Sequence, residues 1–511
     1  MTRSFLLAAA LMLGCGPALA QRTLSFDAPA VPASGSLAIT ASQGLQGQSF
    51  ARIDAASGGA LRRAAEAAGF TGRKGSRLDL PGFGGYDRLL VIGTGTGTAD
   101  AGTMRDVGGS VAQQFARSKT PRVDLVWDGS EPGAASQLAF GAQLGQYRFD
   151  RYRTGGEDAA PASTGELVIR SAAGNGAGSD FSSHWQPTAN AVAFARDLVT
   201  EPANTIYPES FVERVREQAR GLPVTIEVLD VPAMQRLGMG SILAVGQGSA
   251  RPPRMLVIRY NGGRSGDAPV AFVGKGITFD TGGISIKPSS NMWRMKYDMT
   301  GAAVASATVL GLAARRAPVN AVAVAALAEN MPSGTAGRPG DVITTASGKT
   351  YEVMSTDAEG RMVLVDALWY VQRQDKPRAI IDIATLTGSI VTALGPDFAG
   401  LFTRDDTLAT QLERAGRQSG EQVWRMPLLD SYGPRLASPI ADMRNGGGGP
   451  GSGTAAWFIG EWVDRATPWA HLDIAGMAWV ESGGSATVPA GATAYGVRLL
   501  DQWVRDNHEG R

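Results

Sequence analysis

The chain has 511 residues, with 48 basic and 47 acidic side chains, 3 His and 1 Cys. So few Cys and such scattered His (His184, His471, His508) exclude a Cys-rich zinc finger, an iron–sulfur site and an HExxH helix. A net charge of +1 gives no general field for gathering nucleic acid, and the length suits two domains with ample core.

Arg3, the apolar run Phe5–Gly14 and the small residues Ala18-Leu19-Ala20 before Gln21 form the pattern of a secretory signal peptide cleaved after Ala20. The run is too short to remain as a membrane-spanning helix. Cys15 offers a weaker lipoprotein alternative, because Met12 stands where Leu is usual. No later apolar segment is long enough to span a bilayer. The expectation is an exported protein, periplasmic or secreted, that loses its one Cys with the leader.

From about residue 36 to 172, short apolar runs alternate with helical patterns. Arg88–Ile92, Arg122–Trp127 and Glu166–Arg170 read as strands, and Leu61–Phe70 and Asp106–Arg117 as helices. Gly, Ser, Ala and Asp dominate 155–165 and 172–183, which places a domain boundary near residue 185. Thr188–Val199 has the spacing of a connecting helix. Beyond it, strands are predicted at Val224–Leu229, Met255–Arg259, Val270–Val273, Ala321–Leu327 and Ala379–Ile383. Helices are predicted at Phe211–Arg220, Ala302–Arg315, Met362–Gln372 and Thr454–Val463. The fold class is therefore α/β in two domains: a smaller N-terminal domain over 21–185, after the leader 1–20, and a larger catalytic domain over 186–511. The latter has a mixed sheet flanked by helices.

Only 7 of the 48 basic residues are Lys, yet Lys275, Lys287 and Lys296 fall within 22 residues. Chance would put about 0.3 there. In a chain that uses Arg nearly everywhere, retained Lys points to a task for a side chain that can lose its proton, such as metal ligation, or for an adjustable point charge. Lys296 alone reads as an ordinary solvated charge. Lys275 sits at a strand end, and a Gly-containing turn then carries Asp280 and Lys287 towards Asp298. A second constellation, Ser355-Thr356-Asp357-Ala358-Glu359-Gly360-Arg361, opens a helix. Acidic residues there are common because they complement the helix dipole. With Asp280 and Asp298, however, they make four carboxylates, a hard-ligand set for two divalent cations.

These two segments, with Glu201-Pro202-Ala203-Asn204, Glu329–Gly334, Ala384–Gly388 and Trp469–Gly476, give a sequence that resembles the leucyl aminopeptidase (cytosol aminopeptidase) family. The resemblance spans roughly 195–500 and is looser before residue 185. It implies a two-metal exopeptidase, with zinc or manganese as the metals, that uses a metal-bridging hydroxide to remove leucine-like residues from peptides with a free N-terminus. By the same resemblance, Lys275, Asp280, Asp298 and Glu359 bind one metal. Asp280 and Glu359 reach a second, which Asp357 also binds. Lys287 polarises the scissile carbonyl, Arg361 holds a bicarbonate serving as general base, and Met295, Thr385, Leu386 and Gly388 lie near the substrate. A homohexamer is implied, and nucleic acid is not an expected partner. Ser355 replaces the family's usual Asn, which implies altered loop support.

Two other readings stay open: a different two-metal hydrolase such as a phosphoesterase, which normally recruits more His, and a non-enzymatic exported binding protein, which leaves the Lys–Asp–Glu cluster unexplained. Gly93–Gly97 reads as a strand-exit loop without a helix start beside it, not a dinucleotide fingerprint. Asn445–Gly449 reads as backbone approaching the active site or a neighbouring subunit, and His471 as a hydrogen-bonded core residue.

Overall fold

The structure is a computed structural model and describes residues 21–155 and 165–510. Near the N-terminus lie β1 (Thr23–Asp27), β2 (Gly35–Ser42), β3 (Arg77–Pro81), β4 (Tyr86–Gly95), β5 (Arg122–Val126) and β6 (Glu166–Arg170). They form one sheet in the order β1-β6-β5-β2-β4-β3, parallel except at β3/β4. The glycine run Gly93–Gly97 lies within β4 as far as Gly95 and does lead on to a helix, Ala101–Gln114, capped by Asp100 accepting from the Thr103 N–H at 2.6 Å.

The second sheet holds β7 (Val224–Leu229), β8 (Arg254–Asn261), β9 (Val270–Asp280) and β10 (Asn320–Asn330). After β11 (Val342–Thr344) and β12 (Thr350–Glu352) the chain adds β13 (Ala379–Ala384), β14 (Ala399–Thr403), β15 (Val423–Arg425), β16 (Met443–Arg444) and β17 (Trp469–Asp473). The order is β15-β14-β17-β13-β9-β10-β8-β7, with β11, β12 and β16 forming a separate small sheet. Its centre, β10-β9-β13-β17, is parallel; the outer β8 and β14 pair antiparallel with it.

Side-chain alternation explains why β10 is apolar at every position from Ala321 to Ala328. Ala321, Ala323, Ala325 and Leu327 face the core beneath helix Thr300–Ala314, whereas Val322, Val324 and Ala326 face the core beneath helix Glu359–Gln374. β9 extends to Asp280, well past the predicted end at Val273. Its glycines are packing residues: a Cβ on Gly274 would lie 2.3 Å from the Gly301 carbonyl oxygen, so helix Thr300–Ala314 can approach only a bare backbone. Lys275, between Gly274 and Gly276, takes the other face.

The chain passes position 185 in an unbroken helical run, from a π turn at Phe181–Trp185 into helix Gln186–Thr200. Arg196 of that helix is 1% exposed. It donates to the carbonyls of Leu144 (3.0 Å), Thr487 (2.9 Å) and Thr493 (3.1 Å), tying a late segment to the N-terminal half. Gln113 strengthens the tie by donating to Ser485 O at 2.7 Å. Replacing Arg196 with Met removes every donor and leaves three carbonyls unsatisfied, at about 1–3 kcal/mol for each group that finds no other partner. Arg196→Met is expected to lower the thermal midpoint by several degrees; a wild-type midpoint would show that the three carbonyls do not depend on Arg196.

Candidate metal centre and active site

The candidate residues meet just past the carboxyl ends of the central parallel strands, where ligand crevices form in α/β sheets. β9 supplies Lys275 and, as its last residue, Asp280. Asp298 comes from a 3-10 turn, Met292–Met299, that runs directly into helix Thr300–Ala314. Asp357 and Glu359 lie at the start of helix Glu359–Gln374. Thr385, Leu386 and Thr387 follow β13, and Thr387 caps the helix that begins at Gly388 by accepting from Ile390 N–H at 3.2 Å.

Lys275 Nζ lies 2.8 Å from Asp298 Oδ2 and 2.9 Å from Glu359 Oε1, and donates to Thr385 O at 2.8 Å. Lys287 Nζ lies 2.7 Å from Asp280 Oδ2 and also pairs with Asp357. Thr385 Oγ1 donates to Asp298 Oδ1 at 2.7 Å, so the loop after β13 is fixed to the acidic cluster. Ligand oxygens of Asp280, Asp357 and Glu359 lie within 4.8 Å of one another. Gly360 is required here, since a Cβ would lie 2.7 Å from Lys275 Cδ.

Asp280, Asp298 and Glu359 are almost wholly buried, and Asp357 is at the rim. Burial, then the charge of nearby Asp280, pushes the carboxyls of Glu359 and Asp357 up. Burial also raises Asp298, against the pull of Lys275. Burial alone would lower Lys275 and Lys287; the carboxylates win, with Asp298 and Glu359 raising the first and Asp280 and Glu359 the second. Four carboxyls thus share two ammonium groups, and Glu359 Oε2 is buried with no hydrogen-bond partner among the described residues. Hard oxygen donors, an amine and an orphaned carboxylate oxygen fit a pair of divalent cations.

Arg361, 9% exposed, donates from one guanidinium nitrogen to Asn445 O at 2.7 Å. Burial lowers it to about 10, and its Nε has no hydrogen-bond partner among the described residues. The glycine-rich stretch therefore does approach the site, anchored by Asn445, whose side chain accepts from Met354 N–H at 2.7 Å and donates to Ser355 O at 2.8 Å. Ser355 contributes a weaker brace, its hydroxyl accepting from Asp357 N–H at 3.2 Å. Met295 lies on the same 3-10 turn as Asp298, half-buried, and a Cβ on Gly388 would meet nothing within 4 Å. His471 is fully buried and hydrogen-bonded to Asp382, as expected of a core histidine.

Some contributions were not read from the sequence. Lys296 is no idle surface charge: half-buried, it donates to Thr200 O at 2.8 Å and lies 5.3 Å from the centre of the Trp479 ring. Asp473 accepts from Leu386 N–H at 3.1 Å and from Thr387 Oγ1 at 2.6 Å, fixing the loop after β13. Asn330 holds Asp280. Both residues lie within the segments that carried the family resemblance, which was the available signal.

Comparison with known proteins agrees with this geometry. The description "Cytosol aminopeptidase family, catalytic domain" fits residues 193–501, and "Cytosol aminopeptidase family, N-terminal domain" fits 37–156. A "Probable cytosol aminopeptidase" of Bradyrhizobium sp. is 48% identical over 90% of this chain and 94% of its own. One of the same name from Caulobacter vibrioides is 45% identical over 94% and 97%. Among solved structures, a tomato leucine aminopeptidase mutant superposes with a TM-score of 0.86 at 31% identity, covering 97% of this chain and 99% of that one. The bottromycin maturation enzyme BotP in complex with Mn gives 0.81 at 34%, covering 93% and 99%. The relatives' names point to the cytoplasm and overturn the expectation of export. That expectation rested on a leader cleaved after Ala20, and residues 1–20 lie outside the described residues. The acidic cluster with its two lysines, the two domain matches in order and the close relatives agree: the chain belongs to the cytosol aminopeptidase family and is a metal-dependent aminopeptidase.

Proposed function

We propose that the protein removes leucine-like N-terminal residues from peptides, using two divalent cations, zinc or manganese, held by Lys275, Asp280, Asp298, Asp357 and Glu359. The observation that carries this reading is the meeting of four carboxyls and two lysines at the ends of the central strands, with one buried carboxylate oxygen unpartnered. The Mn named with BotP supports manganese as a metal to test. Phosphoesterase and binding-protein readings gain no support from the relatives.

Lys275, Asp280, Asp298 and Glu359 would hold one cation, and Asp280, Glu359 and Asp357 the other. When bound, such a pair supplies an activated water at neutral pH and Lewis-acid polarisation of a carbonyl. Lys287 is the one cluster cation with partial exposure, 22% for its side chain, so its ammonium can turn to a substrate carbonyl and meet the charge that develops on oxygen. Arg361 would hold a bicarbonate as general base; its buried guanidinium with an unpartnered Nε supports that role. Met295, Thr385, Leu386 and Gly388 would line the substrate cleft, the loop after β13 being held by Asp473 and Lys275. A homohexamer belongs to the same reading, and solution mass measurement tests it. No described helix is long and apolar enough to cross a membrane.

Lys287→Ala is expected to lower kcat for leucine p-nitroanilide by about 10²–10³-fold, the range for losing one preorganised oxyanion donor. Asp357→Ala should lose activity together with one equivalent of bound metal. Undiminished hydrolysis by both variants would remove the site assignment. The metal-free protein carries a further signature. A carboxyl whose folded pKa lies above its unfolded value binds more protons when folded, so stability falls as pH rises through that interval. Glu359, Asp298 and Asp357 are all raised, so the metal-free protein should lose thermal stability from about pH 4, the ordinary carboxyl range, towards neutrality. Added cation should restore it. Melting curves across pH with and without Mn²⁺ check this, and a metal-free midpoint that rises steadily with pH contradicts it.

A further inference from the structure

Asn330 ends β10 and is the register partner of Asp280, which ends β9. It is 4% exposed. Its amide nitrogen donates to Asp280 Oδ1 at 2.8 Å and to Thr356 O at 3.0 Å. Its backbone carbonyl accepts from Thr281 N–H at 3.0 Å and from Thr281 Oγ1 at 2.8 Å. Its amide oxygen faces Gly283, where φ is +64° and an added Cβ would lie 2.7 Å from Oδ1. One buried residue therefore touches the end of β9, the turn 281–283, and the loop that carries Asp357.

This arrangement fixes more than the backbone. Asp280 Oδ1 accepts from Asn330 and from Gly282 N–H at 2.8 Å, while Oδ2 faces Lys287 at 2.7 Å. With both donors on one oxygen, the carboxylate cannot turn without losing two hydrogen bonds, so Oδ2 is the oxygen left facing the other acidic groups. The second amide hydrogen spans to the carbonyl beside Asp357, which sets the separation of two carboxyls that would otherwise repel. Among side chains of this size, only a neutral amide does both. Aspartate would add a negative charge and remove both donors, and a cationic residue would compete for the carboxylates.

We propose that Asn330 is a positioning residue for the metal centre, orienting the Asp280 carboxylate and holding the Asp357 loop at the spacing that cation binding needs. The inference rests on the metal-centre reading above and deepens it. It acts through Asp280 and Thr356, so its effect belongs in metal affinity, where loss of an outer hydrogen-bond partner typically costs about 10–100-fold.

Asn320, at the opposite end of β10, supplies the comparison. It is similarly buried, at 6% exposure, and its amide nitrogen donates to Arg264 O and Asp267 O, both at 2.9 Å, far along the strand from the acidic cluster. Wild type, Asn330→Ala, Asn330→Leu, Asn320→Ala and Asp280→Ala would be stripped of metal, and their Mn²⁺ and Zn²⁺ affinities measured by competition with a chelating indicator. Melting temperatures of the metal-free proteins and kcat and KM at saturating metal complete the set. Asn330→Leu keeps the side chain's size without its donors and adds no charge, so it serves where Asn330→Ala fails to fold. Both Asn330 variants are expected to bind cation about 10–100-fold more weakly, whereas Asn320→Ala melts earlier but keeps wild-type affinity. Asn330 variants that melt earlier yet bind cation as wild type does would overturn the inference while Asp280→Ala still binds weakly. Unchanged affinity in Asp280→Ala itself would overturn the metal-centre reading, and the inference with it.

Discussion

Four carboxyls and two ammonium groups occupy one largely buried volume at the ends of β9, β10 and β13, and the surrounding fold is arranged to hold that charge. Buried like charges repel, and burial disfavours their ionised forms. The cluster persists because every acidic group but one oxygen of Glu359 is met by a lysine, a hydroxyl or an amide. The raised carboxyls favour taking up protons to offset the remaining charge in the metal-free protein, and two cations would do so in the working enzyme. One electrostatic problem thus links the raised carboxyls, the retained lysines and the need for metal.

Convergence depends on close backbone approach. Helix Thr300–Ala314 lies against the bare backbone of β9 at Gly274, and Gly360 leaves room for the Lys275 stem. These contacts bring the 3-10 turn with Asp298 and the helix start with Glu359 to the same lysine, although the three residues come from separate segments. The polar braces at the rim then set orientation: Asp473 holds the loop after β13, Asn445 holds the loop before Asp357, and Asn330 joins the strand end to that loop. The N-terminal half meets the catalytic half through Leu144, whose carbonyl accepts from Arg196, and through Gln113, which donates to Ser485 O, while Arg196 also holds Thr487 and Thr493. It is therefore joined to the catalytic half by side-chain hydrogen bonds to backbone carbonyls as well as by the chain.

What the sequence determined by itself was the chemistry. A Lys-poor chain with two lysines and four acidic residues in two short motifs indicates a carboxylate–amine metal site, because only those side chains supply those ligands. Apolar runs located the central strands, because a parallel strand covered on both faces is apolar over most of its length. The ends of β9, the use of Lys296 and the roles of Asn330, Asn445 and Asp473 were decided by tertiary structure. Asn330 and Asp280 are 50 residues apart, Asn445 and Arg361 are 84, and Asp473 and Leu386 are 87. A polar side chain's job is set by the partner it meets, and a glycine's by the backbone that packs on it. Neither is encoded in local spacing, so the acidic residues and lysines of the cluster were legible in the sequence while the groups that brace them became visible only in the fold.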